Sequence, residues 1–518
     1  MEKSLACRVV LATAVALALG ASGCVSDHGS PTVPATPRGS SLLGQAVDAL
    51  DGTGVAGAVV HVGGRTYSAN EQGYFTISDV VADARMTLLV SAPDYARGGV
   101  NVIPRRGAAT FVRVPLLAFD ATTSFDAATG GTVTSGSASV TFPAGALAAS
   151  GTVTVSLAVL DPSIPEARAA FPGDFGTDRG GLLESFGALG IEVTNSAGEL
   201  VNIAAGQSAQ IVVPVTAGAP DTIPLWSFNE TAGSWTEEGT LSGCADGVCD
   251  VANIPHLSWW NADQVTETSC VNACIQGQDG SPAVGVSVYA SGVSYDGDSS
   301  GTTGADGCVC LQVKRGSTVS ISAFFSGGLA GPVTVTSPAV AAACGDAACT
   351  RLPEPLIVST PKFQAVLSWS EAPSDVDTHF TGPCDPADAS CTGRFHVYYS
   401  DRGNLASPPW AYLDTDDTDS FGPEITTLTM CLAGTYRYSV HNYSGSPGIE
   451  TSSASVYLTL PDGSTPTVQV PTSNPGAGLV WIVGDLTCTG SSTPSSACDC
   501  TWRTVNRFGP ADDTSYNP

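Results

Sequence analysis

The sequence predicts an all-β protein, with tandem β-sandwich domains in series. Three observations carry this. Glycine (58) and proline (34) are abundant among Thr, Ser and Val, a mixture that favours strands joined by tight turns. Short apolar alternations of period two recur along the chain, while long helical patterns of Leu, Glu and Lys are missing. At 518 residues the chain exceeds one hydrophobic core, and the length suggests three to four domains. Hydrophobic residues make up 43% against 13% charged, so the chain as a whole has enough apolar surface to fold.

The first element is an export segment. In "MEKSLACRVVLATAVALALGASGCVSDHG", Lys3 and Arg8 form a basic region and Val9 to Leu19 an apolar run too short to span a bilayer comfortably. Ala21, Ser22 and Gly23 then lead to Cys24. Small-small-Cys after such a run resembles the bacterial lipoprotein lipobox, although Ala21 stands where Leu is most usual. The resemblance implies a signal peptide over residues 1–23 and acylation of Cys24. It also implies membrane anchoring through the acyl chains, each buried methylene contributing about 0.8 kcal/mol. The alternative is an ordinary signal peptide cut near Cys24. Val25 follows the cysteine rather than Asp, so the lipoprotein sorting rule points to the outer membrane. Residues 24–40, with "VSDHGSPTVPATPRGS" after the cysteine, read as a lipidated, proline-bearing tether.

The next stretch, residues 41–118, opens with "GQAVDALDGTGVAGAVVHVGG". Val59 and His61 take one parity, Val60 and Val62 the other. A turn at Gln72-Gly73, alternation at Phe75 and Ile77, and "MTLLVSAPDYA" follow. A weak repeat of this stretch appears at residues 270–325, where "ACIQGQDGSPAVGVSVYA" and "GADGCVCLQV" match "GQAVDALDGTGVAGAVVHV" and "NEQGYFTI". Both copies resemble the carboxypeptidase regulatory-like (transthyretin-like) β-sandwich, which implies domains at 41–118 and 265–356. That family is a structural appendage without a catalytic centre.

Between the copies, Val140 and Phe142 alternate into Pro143, and Val153, Val155 and Leu157 alternate again. In "IPLWSFNETAGSWTEEGT", Trp226 and Phe228 face Trp235 across a short turn, a pairing that favours a hairpin. "FPAGAL" and this hairpin resemble the ZU5-like sandwich found in cartilage intermediate layer protein, implying an interaction module over 119–264. The string "NIPHLSWWNADQ" closes that segment. Alternation puts His256, Ser258 and Trp260 on one face, Leu257 and Trp259 on the other. A strand buried on both faces at a domain junction accounts for the paired tryptophans; an aromatic glycan platform is the alternative.

Residues 357–518 carry "LSWSEAPSDVDTHFTGP", "LDTDDTDSFGPE" and "GTYRYSVHNYSG". These resemble the YfaP-like bacterial β-sandwich family, whose role is itself undefined and which more often has Leu at the positions of Thr378 or Phe380. The acids here form the sharpest polar set: Asp375, Asp377, Asp414, Asp416, Asp417, Asp419 and Glu424. Alternating carboxylates on flexible loops suit Ca²⁺, which takes six to eight oxygens, though the spacing matches no EF-hand. The alternative is an exposed acidic turn. Trp410, Tyr412 and Tyr443 are the candidate ligand-binding aromatics nearby. His379 beside Asp377 reads as a packed surface histidine, with a metal-ligand role as the alternative.

Of 16 cysteines, Cys7 leaves with the signal and Cys24 is assigned to lipid; the other 14 lie between Cys244 and Cys500. Export makes disulfides the default. The pairs Cys244/Cys249, Cys344/Cys349 and Cys384/Cys391 read as local staples of small loops. Cys270, Cys274, Cys308 and Cys310 read as two disulfides among themselves, with tetrahedral zinc as the alternative. Cys431, Cys488, Cys498 and Cys500 supply two more, their connectivity open.

The formal net charge is −28, from 20 basic and 48 acidic residues. Such a surface repels phosphate backbones and excludes nucleic acid as a partner. It would attract divalent cations or cationic partners, although solubility is the plainer reason for it. The six histidines are scattered, and no HExxH, G-x-S-x-G or phosphate-binding loop occurs, so no catalytic residue is named. The expected function is non-enzymatic: a lipid-anchored cell-surface protein in a structural, adhesion or envelope role, with a protein or glycan partner. The alternative is a calcium-dependent, lectin-like module, calcium being the one cofactor considered.

Overall fold

In the computed structural model, residues 40–518 are described, except 107–108, 278–279, 326–327, 359–360, 406, 414–415, 419–421, 463, 465 and 494–495. The export segment, Cys24, the tether up to residue 39, and Asp414 and Asp419 of the acidic set lie outside the described residues. The regular structure of the described chain is nearly all strand, as the composition predicts. Four pairs of sheets follow one another along it. Among the described residues no helix is long and apolar enough to cross a membrane.

The first pair is built from β1 (Ser40–Asp48), β2 (Val59–Val62), β3 (Arg65–Ser68), β4 (Tyr74–Val80), β5 (Met86–Ala92), β6 (Tyr95–Val102) and β7 (Ala109–Leu116). Sheet β4-β1-β7 packs on sheet β3-β2-β5-β6, with Leu42, Val60, Phe75, Val90 and Val114 between them.

The second pair follows with β8 (Ala121–Asp126), β9 (Gly131–Ser135), β10 (Ala138–Phe142), β11 (Thr152–Leu160), the short α1 (Pro165–Arg168), β12 (Leu182–Asn195) and β13 (Ala209–Val212). It continues with β14 (Ile223–Asn229), β15 (Ser234–Leu241), β16 (Ala252–Ile254) and β17 (Trp259–Thr266). Four strands, β16-β13-β10-β9, face six, β15-β14-β17-β12-β11-β8. Phe228 and Trp235 sit directly opposite on β14 and β15, their rings 5.4 Å apart.

The paired tryptophans lie in the six-stranded sheet and point to opposite faces. Trp260 fills the core between the sheets, where the His256 ring packs on it at 5.0 Å. Trp259 joins an apolar cluster on the other face together with Ala96 and Leu117 of the first sandwich, and its indole N–H donates to the Arg97 carbonyl at 2.8 Å. This strand is a domain junction rather than a platform. Each buried indole contributes about 4–6 kcal/mol of transfer free energy as an upper bound.

The third pair comprises β18 (Thr268–Gly277), β19 (Ser287–Gly292), β20 (Asp298–Thr302), β21 (Cys308–Lys314), β22 (Thr318–Phe325), β23 (Gly328–Thr336), β24 (Thr350–Arg351) and β25 (Leu356–Val358). Its strand order reproduces that of the first. β18 pairs antiparallel with β21 and parallel with β24 and β25, as β1 does with β4 and β7. The second sheet, β20-β19-β22-β23, matches β3-β2-β5-β6. The turn glycines of the repeat have one physical role. Gly73 (φ 77°) and Gly307 (φ 72°) each press onto a carbonyl of the first strand, so a Cβ would lie 2.1 Å from the Ala46 oxygen and 2.6 Å from that of Ile275.

The disulfides here correct the expected pairing. Cys274 bridges to Cys308, directly opposite on β21, but Cys344 bonds Cys310 and Cys349 bonds Cys270. Val271, Ala273 and Leu311 point into the core, so the four strand cysteines point outward. The turn carrying Cys344 and Cys349 lies across that outer face and is fastened at both ends instead of being closed on itself. Elsewhere the bonds are Cys244–Cys249, Cys384–Cys391, Cys431–Cys498 and Cys488–Cys500.

The fourth pair holds β26 (Phe363–Ser368), β27 (Asp377–Pro383), β28 (Arg394–Val397), β29 (Ala411–Leu413), β30 (Glu424–Leu428), β31 (Gly434–His441), β32 (Ser455–Thr459), β33 (Thr467–Gln469), β34 (Val480–Cys488) and β35 (Cys500–Gly509), then α2 (Asp513–Tyr516). Sheet β29-β30-β26-β32-β33 packs on sheet β28-β27-β31-β34-β35 around Phe363, Phe380, Tyr438 and Trp481.

The four sandwiches are not beads that touch only their neighbours in sequence; residues 39–518 form one compact unit. Leu43 and Phe111 of the first pack on Val366, Ile425 and Tyr457 of the fourth. Arg105 of the first donates to the carbonyls of Thr302 and Thr303 in the third. Arg97 pairs with Glu230 of the second at 2.9 Å, and Lys314 of the third with Glu184 of the second at 2.7 Å.

Candidate cation site

Two strands of the fourth sandwich and the loop before β30 bring its polar residues together. On β27 the side chains alternate: Phe380 enters the core, while Asp377, His379 and Thr381 take the outer face. On β31, Tyr436, Tyr438 and Val440 enter the core, which leaves Arg437, Ser439 and His441 outward. The ladder sets Asp377 opposite His441 and His379 opposite Ser439. β28 adds His396, across from Thr381.

This outer face is roofed. α2 lays the Tyr516 ring 4.4 Å from that of His379, and Thr381 Oγ1 donates to the Tyr516 carbonyl at 2.6 Å. Arg437 anchors the same segment, donating to the Asn517 carbonyl and pairing in fork geometry with Asp485 at 2.7 and 3.0 Å. Asp485 also takes a contact from Arg503. His379 is therefore 5% exposed, a buried residue and not the surface histidine the sequence suggests.

The acids gather at the start of β27. One carboxylate oxygen from each of Asp377, Asp416 and Glu424 lies within 4.8 Å of the others. Asp375 stands close enough for Asp416 to raise its pKa, after burial. Asp377, Asp417 and Glu424 are all buried, at 3%, 1% and 0% exposure, so the reading of an exposed acidic turn does not hold for them. Glu424 opens β30 in the opposite sheet and accepts the Thr378 N–H at 2.6 Å. Asp377 Oδ2, Asp375 Oδ1 and Asp416 Oδ1 are buried atoms without a hydrogen-bond partner.

The electrostatics follow from crowding and burial. Asp377 is pushed up to about 7 by burial first, then by the Asp375 and Asp416 carboxylates. Burial drives Glu424 well above the ordinary carboxylate range, Asp377 and Asp416 adding to it against the Thr378 hydrogen bonds. Like charges held this close call for protons or a cation between them. Two oxygens at about 2.4 Å from calcium and at right angles lie about 3.4 Å apart, so these donors need to draw in by at most about 1.4 Å.

Beside the acids stands an imidazole group that strand-by-strand reading missed. His379 Nδ1 lies 2.8 Å from His396 Nε2, whereas His379 Nε2 is buried without a partner. Burial, then His396 and His441, push His379 down to about 2, and burial lowers His396 and His441 as well. The signal lay in parity: in "DTHF", "FHVYY" and "RYSVHNY" each histidine takes the position opposite to the core residues of its strand.

Of the three candidate aromatics, Tyr443 belongs here. It is 57% exposed, with its ring 6.2 Å from His441 and 5.8 Å from Tyr399. Trp410 instead donates its indole N–H to Asp385 at 3.0 Å, and Tyr412 lies under the Arg402 guanidinium.

No protein-family model matches the chain, and no curated protein sequence matches it. Among solved structures, similarity is found to the Bacillus anthracis TIE protein, at 8% identity over 62% of this chain and 50% of that one, TM-score 0.15. The chain thus spans half the length of that protein. A candidate carbohydrate binding protein of Bacteroides uniformis shares 10% identity over 58% of this chain and 100% of that one, TM-score 0.14. The major pilin subunit of Bacillus cereus shares 8% over 61% and 99%, TM-score 0.13. At these scores the likenesses add nothing to the fold read from the sheets themselves.

Proposed function

We propose that this is a non-enzymatic, lipid-anchored cell-surface protein whose packed sandwiches present a cation-dependent binding module at the C-terminal sandwich. The observation that supports it is the group Asp377, Asp416 and Glu424: buried carboxylates from two sheets and a half-buried one from the loop between them, with an Asp377 oxygen lacking a hydrogen-bond partner. An all-oxygen donor set suits a hard cation of the calcium type. The resemblance of the N-terminus to a lipobox, and of the sandwiches to regulatory-like, ZU5-like and YfaP-like modules, supports a surface role. Tyr443 and Tyr399, both exposed beside the acids, supply aromatic faces on which a glycan or protein partner would rest.

Two experiments test this. Cys24→Ser should move the protein from the membrane fraction to the soluble fraction, and unchanged fractionation contradicts the anchor. Binding to a glycan array and to whole cells should be seen with calcium and lost with chelator. Binding indifferent to both chelator and Asp377→Asn contradicts the cation-dependent module.

A further inference from the structure

The imidazole side of the same face carries a second inference. One donor atom each from Asp377, His379 and His441 lies within 4.8 Å of the others, a set of two nitrogens and one oxygen. The donors are mounted on rigid elements: β27 lies between β28 and β31, and β31 between β27 and β34. Asp377 and His441 are direct ladder partners, and His379 is two residues along the same face.

His379 is the informative member. Its Nδ1 is engaged by His396 at 2.8 Å, which fixes the ring, and its Nε2 is left buried with nothing to bond. A histidine placed for packing alone would bury that nitrogen unpaired at a cost to folding stability. A ring held by a hydrogen bond at one nitrogen, with the other buried and without a hydrogen-bond partner beside a carboxylate and a second imidazole, is how metal-binding histidines are oriented.

We propose that Asp377, His379 and His441 form a binding site for a divalent metal of the zinc class, with His396 holding His379 in its ligating orientation. Nitrogen donors select such a metal over calcium, whereas the all-oxygen set next to them selects the reverse. Ligand atoms at about 2.1 Å from a tetrahedral zinc stand about 3.4 Å apart, so the three donors need to draw in by at most about 1.4 Å. Three protein ligands leave a fourth position open to water or to a group from outside. His441 and the exposed Tyr443 put that side of the site at the surface. The proposal is independent of the calcium reading, although both use Asp377.

The test is metal titration of the full chain stripped with chelator. Zinc should bind at one equivalent in competition with a chromophoric chelator. His379→Ala and His441→Ala should each weaken it at least 100-fold, and His396→Ala about 10-fold. His61→Ala and His256→Ala should leave it unchanged. Asp416→Asn with Glu424→Gln should leave zinc affinity within threefold while abolishing calcium binding, so failure of either site is told from failure of the other. Cobalt bound to the unaltered chain should give the visible bands of a tetrahedral nitrogen–oxygen site, a readout that needs no variant to fold. Absence of those bands, or zinc affinity unchanged in both His379→Ala and His441→Ala, overturns the proposal.

Discussion

Arg168 offers the sharpest test of how the sandwiches are held together. It ends α1 of the second sandwich, is 3% exposed, and reaches into the third. Its Nε donates to Asp298 at 3.1 Å, Nη1 to Asp296 at 3.0 Å and to the Pro162 carbonyl at 3.1 Å, and Nη2 to the Gly292 carbonyl at 2.8 Å. Replacing it with alanine strands two carbonyls and two acids. Breaking a buried pair by removing one partner costs about 3–5 kcal/mol. Two features pull the figure down. Asp296 keeps 32% of its side chain exposed, so water screens it. Asp298 is already raised by burial despite Arg168, and it would take up a proton. The expected loss is therefore about 3–4 kcal/mol, roughly 10²–10³-fold in the local opening equilibrium.

Because a chain of several sandwiches does not unfold in one step, that loss is read locally, by amide hydrogen exchange. Two amides report on it: Gly292, which donates to Gly297 within the third sandwich, and Ser185, which donates across the junction to the Asp296 carbonyl at 2.8 Å. Both should exchange roughly 10²–10³-fold faster in Arg168→Ala. Protection within threefold of the unaltered chain at both amides would show that Arg168 does not hold the two sandwiches together.

Three further outcomes follow from the structure. Asp263 is fully buried in β17 and raised well above the ordinary range by burial, so the folded chain holds a proton that the unfolded chain releases above about pH 3.9. Folding stability should then fall as pH rises through that point towards the folded pKa, and Asp263→Asn should lose this slope; parallel melting curves for both chains from pH 4 to 8 would contradict it. Gly73→Ala and Gly307→Ala should each destabilise their own sandwich by about 1–3 kcal/mol, since both place a Cβ against backbone at positive φ; unaltered melting of either variant would show that the turn tolerates a side chain. Non-reducing peptide mapping should recover Cys270 linked to Cys349 and Cys310 linked to Cys344, and a Cys344–Cys349 peptide would contradict the fastening of that turn across β18 and β21.

The parts of the fold legible in the sequence are those set by local rules. Strand parity placed Phe75, Val140, Trp226 and Trp260 correctly, but Leu257 packs with Trp260 and not with Trp259 as the alternation predicts, because β17 begins only at Trp259; the Gly73 and Gly307 turns made the repeat visible because only glycine fits there. The paired tryptophans could be read as a junction because a strand with bulky residues at both parities has no solvent face. That Trp259 meets the first sandwich rather than the third was not legible, since nothing local encodes which surface returns to cover a strand. The same limit explains the cysteines. Cys344 and Cys349 are five residues apart, and only the crossing of their turn over the outer face of β18 and β21 directs them to separate partners. The acids announced themselves as a run, but His379, His396 and His441 come from three strands joined only by the ladder of β28, β27 and β31. Parity alone would have put each on the outer face; it could not have put them next to one another.

The proposed function rests on a divalent cation held by Asp377, Asp416 and Glu424 in the C-terminal sandwich. The most direct measurement is calorimetric Ca²⁺ titration of the full chain, beside the same chain carrying Asp377→Asn and Glu424→Gln. Saturable binding and a raised melting temperature are expected in the unaltered chain, both lost in the double variant. No heat and no shift in melting temperature in the unaltered chain, or binding that survives both substitutions, would contradict the proposed function.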